Sequence, residues 1–176
     1  MHHPTPCELI SWNGVYTLCR QLVVQIRKSG YQPEVIVAIG RGGYVPVRVL
    51  ADHLDLMNLT SFKIEHYRGL QKGALARIKY PLAAEVRAVV LHHKTVSSFE
   101  PDYYAKKVTK RRWIIYPWAV MENLSELIMA MEPRPPSIEA SAQRLQQEQG
   151  IHLSRKMLED VLAFVQSSGG ITEPDI

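Results

Sequence analysis

The run Val35-Ile36-Val37-Ala38-Ile39, closed by Gly40-Arg41-Gly42-Gly43, constrains the fold more than any other stretch of the chain. Its residues are mostly β-branched and do not alternate with polar ones. Such a run reads as a strand buried on both faces, the habit of parallel sheets covered by helices. The glycines then break the strand, and apolar residues from Val45 to Leu54 resume at helical spacing, with Pro46 near the helix start, where proline is tolerated.

The flanks repeat this grammar. Ser11 is a plausible N-cap for a preceding helix whose Val15, Leu18, Cys19, Leu22, Val23 and Ile26 recur at steps of three and four. Arg27 and Lys28 suit its last turn and Gly30 its end. A strand is expected at Leu59–Glu65, a loop at Tyr67–Ala76, a short strand at Arg77–Leu82, and further strands at Val86–Leu91 and Trp113–Tyr116. Helix, strand, glycine loop, helix and strand in succession imply an α/β protein with a parallel sheet. After the proline-rich break Met131–Pro136, two helical stretches follow, Ser137–Gln149 and Leu153–Gln166, separated by Gly150. In the second, Met157, Leu158, Val161, Leu162 and Val165 form an apolar stripe. These read as a C-terminal helical hairpin appended to the α/β body.

Composition excludes several classes. The 176 residues are 46% hydrophobic and 22% charged, ordinary values for a globular chain. No apolar run approaches the ~18 residues of a membrane span, and the first residues have no apolar leader core, so a cytoplasmic location is expected. The two cysteines, Cys7 and Cys19, are too few for a disulfide framework. His92-His93 would point to opposite faces of a strand, which makes a poor metal ligand pair. The net charge of +4 suits anionic ligands without naming one. Lys106, Lys107, Lys110, Arg111 and Arg112 read first as a solvated turn and second as a steering patch for polyanions. No helix-turn-helix, RNA-recognition or zinc signature accompanies them, so no nucleic-acid partner is expected.

The glycine loop stands where a parallel strand meets a helix, the place at which open α/β sheets bind ligands. Glycines let backbone N–H groups approach an anion, the helix N-terminus adds partial positive charge, and Arg41 can fork onto phosphate oxygens. The spacing matches neither a P-loop nor a dinucleotide fingerprint. A tight turn without a ligand fits the same residues.

Two blocks of sequence carry a resemblance. Glu34 to Leu54, EVIVAIGRGGYVPVRVLADHL, resembles the pyrophosphate-loop region of type I phosphoribosyltransferases, closest to the short microbial enzymes acting on xanthine, guanine or hypoxanthine. His92 to Trp118, HHKTVSSFEPDYYAKKVTKRRWIIYPW, resembles their purine-recognition region. The resemblance spans roughly residues 8 to 124 and implies a phosphoribosyltransferase-like domain over 1–130, followed by the helical extension 131–176. It implies transfer of 5-phosphoribosyl from phosphoribosyl pyrophosphate to an oxopurine in purine salvage, with Mg2+ and a homo-oligomeric assembly. By the same resemblance the bond before Arg41 is cis, and Gly40, Arg41, Gly42 and Gly43 hold pyrophosphate, with Arg41 the catalytic candidate. Lys94 would donate to the purine 6-oxo group, Trp113 stack on the base, and Ile114 address the purine edge through its backbone. No residue is assigned to bind the metal directly.

The chain departs from that family in two respects. The phosphoribosyl-binding segment, a strand ending in two acidic residues before a Thr-Gly-Thr-like turn and helix, is absent. Glu159-Asp160 lies in a C-terminal helix, and Ser167-Ser168-Gly169-Gly170 has no strand before it. Spacing shows the same gap: only Ala83, Ala84 and Glu85 separate two expected strands, where a parallel crossover needs about a dozen residues or more. Either the sequence is closed up across residues the protein has, or a deletion is real, or the chain is a relative that binds without catalysing. A smaller departure is Ala119, where relatives often carry an acidic residue after Trp118.

Overall fold

The structure, a computed structural model, describes residues 5–63, 67–68, 71–72 and 85–168. It is an α/β protein whose longer strands pair in parallel, as the sequence implies. The chain forms two compact units. One holds the residues up to Ile10 together with those from Arg111 onward, and the other is Ser11–Lys110.

In the unit Ser11–Lys110, helix α1 is Trp12–Lys28. Ser11 caps it by accepting from the Gly14 N–H at 3.1 Å, and Gly30 ends it at a φ of 72°, where glycine carries no side-chain penalty. Val15, Cys19, Leu22, Val23 and Ile26 are buried, which bears out the stripe read from their spacing. The next elements are strand β2 at Ile36–Gly40, helix α2 at Tyr44–Leu54 and strand β3 at Leu59–Lys63. Strands β2 and β3 pair in parallel, with Ile36 opposite Leu59 and Gly40 opposite Lys63. Residues 64–66 and the expected strand Arg77–Leu82 lie outside the described residues. Within the expected loop, Tyr67–Arg68 (β4) and Gln71–Lys72 (β5) form a small antiparallel ladder, which needs only backbone groups and none of the apolar anchors missing there.

Strand β6 is Val89–Lys94, shifted toward the C-terminus from the expected Val86–Leu91. Side-chain bonds occupy the residues before it. The Ala88 N–H donates to the Asp102 carboxylate at 2.7 Å, and Arg87 pairs with Glu85 while its guanidinium lies 4.3 Å over the Tyr31 ring. Its partner, β7 at Tyr103–Val108, pairs in parallel in a segment read as part of a basic turn. Helix α1 packs on β6, β7 and α2. Gln25 donates to the Tyr104 carbonyl at 3.0 Å, and Ser29 bonds the Tyr103 hydroxyl at 2.6 Å.

Strand β2 is not buried on both faces as its composition implies. Ala38 is 2% exposed, but Val35, Val37 and Ile39 are 50%, 37% and 48% exposed. Helix α2 packs on β2, and among the described residues β2 pairs only with β3, so Val35, Val37 and Ile39 stand on the less covered side. Among the described residues no strand joins the β2–β3 pair to the β6–β7 pair.

In the other unit, β1 (Cys7–Leu9) pairs in parallel with β8 (Trp113–Ile115), with Glu8 opposite Ile114. A single helical turn at Pro117–Ala119 leads into α3 (Val120–Met129). Helix α4 (Ile138–Arg144) is capped by Ser137, continues as a wider turn through Gln149 and ends at Gly150, with φ at 71°. Helix α5 is Arg155–Ser168. Ile115, Leu124, Ile128, Met131, Leu145, Ile151, Leu158 and Val161 form one buried cluster, so the C-terminal helices share a core with β8 and α3. Among the described residues no helix is long and apolar enough to cross a membrane.

Candidate functional site

The carboxyl end of β2 turns into α2 through Gly40–Gly43. The peptide bond between Gly40 and Arg41 is cis, as the resemblance implies. The turn is closed by backbone bonds: the Gly43 N–H donates to the Ile39 carbonyl at 2.8 Å and the Tyr44 N–H to the Arg41 carbonyl at 3.3 Å. Gly43 has no room for a side chain, because a Cβ there would stand 2.6 Å from the Ile39 oxygen and 2.9 Å from its nitrogen. Glycine at this place lets the chain fold back onto β2.

No side chain caps α2, and its first turn carries no acidic residue. The helix therefore presents its positive end at the loop without a built-in anion. Arg41 is exposed beside it. Farther along α2, Arg48 pairs with Asp52 at 2.7 Å, which leaves that carboxylate satisfied more than two turns from the loop. With the Gly43 and Tyr44 N–H groups committed to the Ile39 and Arg41 carbonyls, what this turn offers an anion is the end of a helix and a guanidinium.

Lys94 lies in the same unit but on the other strand pair. It is the exposed last residue of β6, opposite Val108, and the chain turns after it with Ser97 N–H donating to the Lys94 carbonyl at 2.9 Å. Gly40 and Lys94 thus both end parallel strands, the position at which such sheets hold ligands.

Trp113 and Ile114 belong to the other unit. Trp113 opens β8, its N–H donating to the Pro6 carbonyl at 2.9 Å. Its indole Nε1–H donates to Asn123 Oδ1, and Asn123 donates in turn to the Ala119 carbonyl at 2.8 Å. The ring also packs against the buried cluster, so its orientation is held by α3 and the core together. Ile114 sits opposite Glu8, which pairs with Arg112 at 3.0 Å. Just beyond the strand the rings of Tyr116 and Trp118 stack with centroids 4.8 Å apart and 6° between planes.

Tyr44 is a neighbour of the loop that the sequence reading passed over. Its hydroxyl covers Gly40: a Cβ there would meet Tyr44 Oη at 2.7 Å and Cζ at 3.0 Å. The sequence reading began this helix at Val45, and nothing in the spacing of Tyr44 revealed the contact.

Parallel strands, a cis-peptide glycine loop and a helix opening on it define the phosphoribosyltransferase fold, and solved structures agree. The chain is similar to a purine phosphoribosyltransferase from Pyrococcus horikoshii OT3, 23% identical, covering 64% of this chain and 93% of that one with a TM-score of 0.51. It is likewise similar to the Helicobacter pylori xanthine-guanine-hypoxanthine phosphoribosyltransferase, 20% identical, covering 67% of this chain and 97% of that one, again at 0.51. In sequence it is 33% identical over 57 residues to the hypoxanthine-guanine phosphoribosyltransferase of Saccharomyces cerevisiae, a match over 32% of this chain and 25% of that protein. The matching segment spans about a quarter of the length of that curated relative. No family model matches the chain. The resemblance read from the two sequence blocks is borne out: this chain has the phosphoribosyltransferase fold and is similar to purine phosphoribosyltransferases.

Proposed function

We propose that this chain transfers 5-phosphoribosyl from phosphoribosyl pyrophosphate to the N9 of an oxopurine, releasing pyrophosphate. The observation that carries the reading is the glycine loop at the end of β2, with its uncapped helix and exposed arginine. In this reading Arg41 and the N-terminus of α2 take up charge developing on the leaving pyrophosphate. Lys94 and, by the sequence resemblance, Trp113 and Ile114 are the candidates for addressing the base, a proximity contribution.

Magnesium enters this reading with the substrate. Among the described residues no group of three or more His, Cys, Asp or Glu side chains is placed to hold a metal ion. The helix end and the Arg41 guanidinium suit phosphate oxygens, and a magnesium ion bound with the substrate would supply further neutralisation of the pyrophosphate charge.

A second reading, a purine- and pyrophosphate-binding protein without transfer, is favoured by the missing acidic pair and Thr-Gly turn.

One assay separates the readings. The purified protein is weighed intact and incubated with magnesium phosphoribosyl pyrophosphate and xanthine, guanine or hypoxanthine. Nucleoside monophosphate formation that Arg41→Ala abolishes supports transfer. Base and pyrophosphate binding without product, at the 20.0 kDa of the sequence, carries the second reading. A mass larger by roughly one strand-helix unit, some 30 residues, restores the acidic segment to the chain.

A further inference from the structure

We infer that Tyr44 is an additional ligand of the glycine loop, its phenolic O–H donating to an oxygen of the bound pyrophosphate. This rests on the reading of Gly40–Gly43 as an anion seat. Tyr44 is the first residue of α2, and its ring turns back over the loop instead of away from it. The hydroxyl lies against Gly40, whose lack of a side chain provides the space: a Cβ there would be 2.7 Å from Oη. Gly40 is also the first partner of the cis bond to Arg41. The phenol stands at the same end of β2 as the N-terminus of α2 and Arg41.

The residue is 49% exposed, so the ring is not there to fill a core. A half-exposed tyrosine whose polar tip rests on a glycine of an anion loop has one chemistry to add, an O–H donor with a fixed base. Carried on a ring with two side-chain torsions, that donor loses less freedom on binding than a lysine in the same place. Gly40 and Gly43 then have different tasks. Gly43 admits the backbone of Ile39, and Gly40 admits the Tyr44 hydroxyl.

The test is calorimetric titration of inorganic pyrophosphate with magnesium into the wild type, Tyr44→Phe, Gly40→Ala and the double variant. Tyr44→Phe keeps the ring and removes only the donor, and is expected to weaken binding roughly tenfold, the scale of one hydrogen bond to a charged group. Gly40→Ala displaces the same hydroxyl, so the double variant should lose less than the sum of the two singles. If the wild type binds and Tyr44→Phe binds equally, the inference is overturned while the anion-seat reading stands. If the wild type does not bind pyrophosphate, both fall.

Discussion

Gly43 lies against the backbone of Ile39, its N–H donating to the Ile39 carbonyl at 2.8 Å, with no space between them for a methyl group. The obstacle is main chain and cannot rotate away as a side chain would. Gly43→Ala must therefore move the loop or the end of β2. The expected cost is about 1–3 kcal/mol, as for other overpacked sites, and the melting temperature should fall by roughly 2–4 °C for each of these kcal/mol. Pyrophosphate binding should be lost with it. Thermal denaturation followed by circular dichroism, with titration of pyrophosphate, checks both.

Arg41 should behave in the opposite way. It is exposed, so Arg41→Ala should leave the melting temperature within about 0.5 kcal/mol of stability of the wild type, as surface substitutions do. Turnover or pyrophosphate affinity should nevertheless drop by at least tenfold, the loss of a charge-assisted contact. Equal affinity in the two proteins would remove Arg41 from the site.

Trp113 joins a structural and a proposed functional duty, and two substitutions separate them. Trp113→Phe keeps an aromatic face but leaves Asn123 Oδ1 without the indole donor. It should cost about 1 kcal/mol of stability and preserve most oxopurine affinity. Trp113→Ala should abolish base binding, because the stacking surface goes as well. Fluorescence-independent binding by calorimetry is the measurement, and equal loss in both variants would contradict the division.

Glu126 carries a pH signature. Burial against α3's neighbours, with Glu122 one turn away as a second cause, raises its carboxyl pKa above the ordinary value. The unfolded chain has the ordinary, lower pKa, so the charged form destabilises the fold above both values. As pH falls through the folded pKa toward the unfolded one, that penalty is relieved. Glu126→Gln should therefore stabilise the protein at neutral pH, by less than about 1 kcal/mol for a site still reached by solvent. The difference from wild type should shrink on acidification. Melting curves of both proteins at pH 7 and near pH 4 decide it, and a constant difference would refute it.

Some elements were legible because their energetics are local. The stripe from Val15 to Ile26, the Ser11 cap and the Gly30 stop needed only helical period and backbone sterics, and the structure repeats them. The loop Gly40–Gly43 was likewise legible, since glycines between a β-branched run and a helix have few other uses. By contrast, β7 was not legible. Lys106 and Lys107 made its end look like a charged turn, yet pairing with His92 and His93 makes it strand. Helix α3 was passed over for a related reason, its Leu124 and Ile128 following directly on the Trp113–Trp118 block that drew attention as a base site.

Partners far apart in the chain decided the rest. Composition marked Val35–Ile39 as a strand covered on both faces, but exposure depends on which elements arrive at each face, and in this fold Val35, Val37 and Ile39 stay open. The seat of the Tyr44 hydroxyl on Gly40 arises in the same way, from the angle at which α2 leaves the loop. Residue order determined where the chain turns, caps and lays down apolar stripes, because those preferences act within a few residues. Strand pairing, face coverage and side-chain contacts across the loop were left to the tertiary structure, because their free energy comes from groups that meet only once the chain has folded.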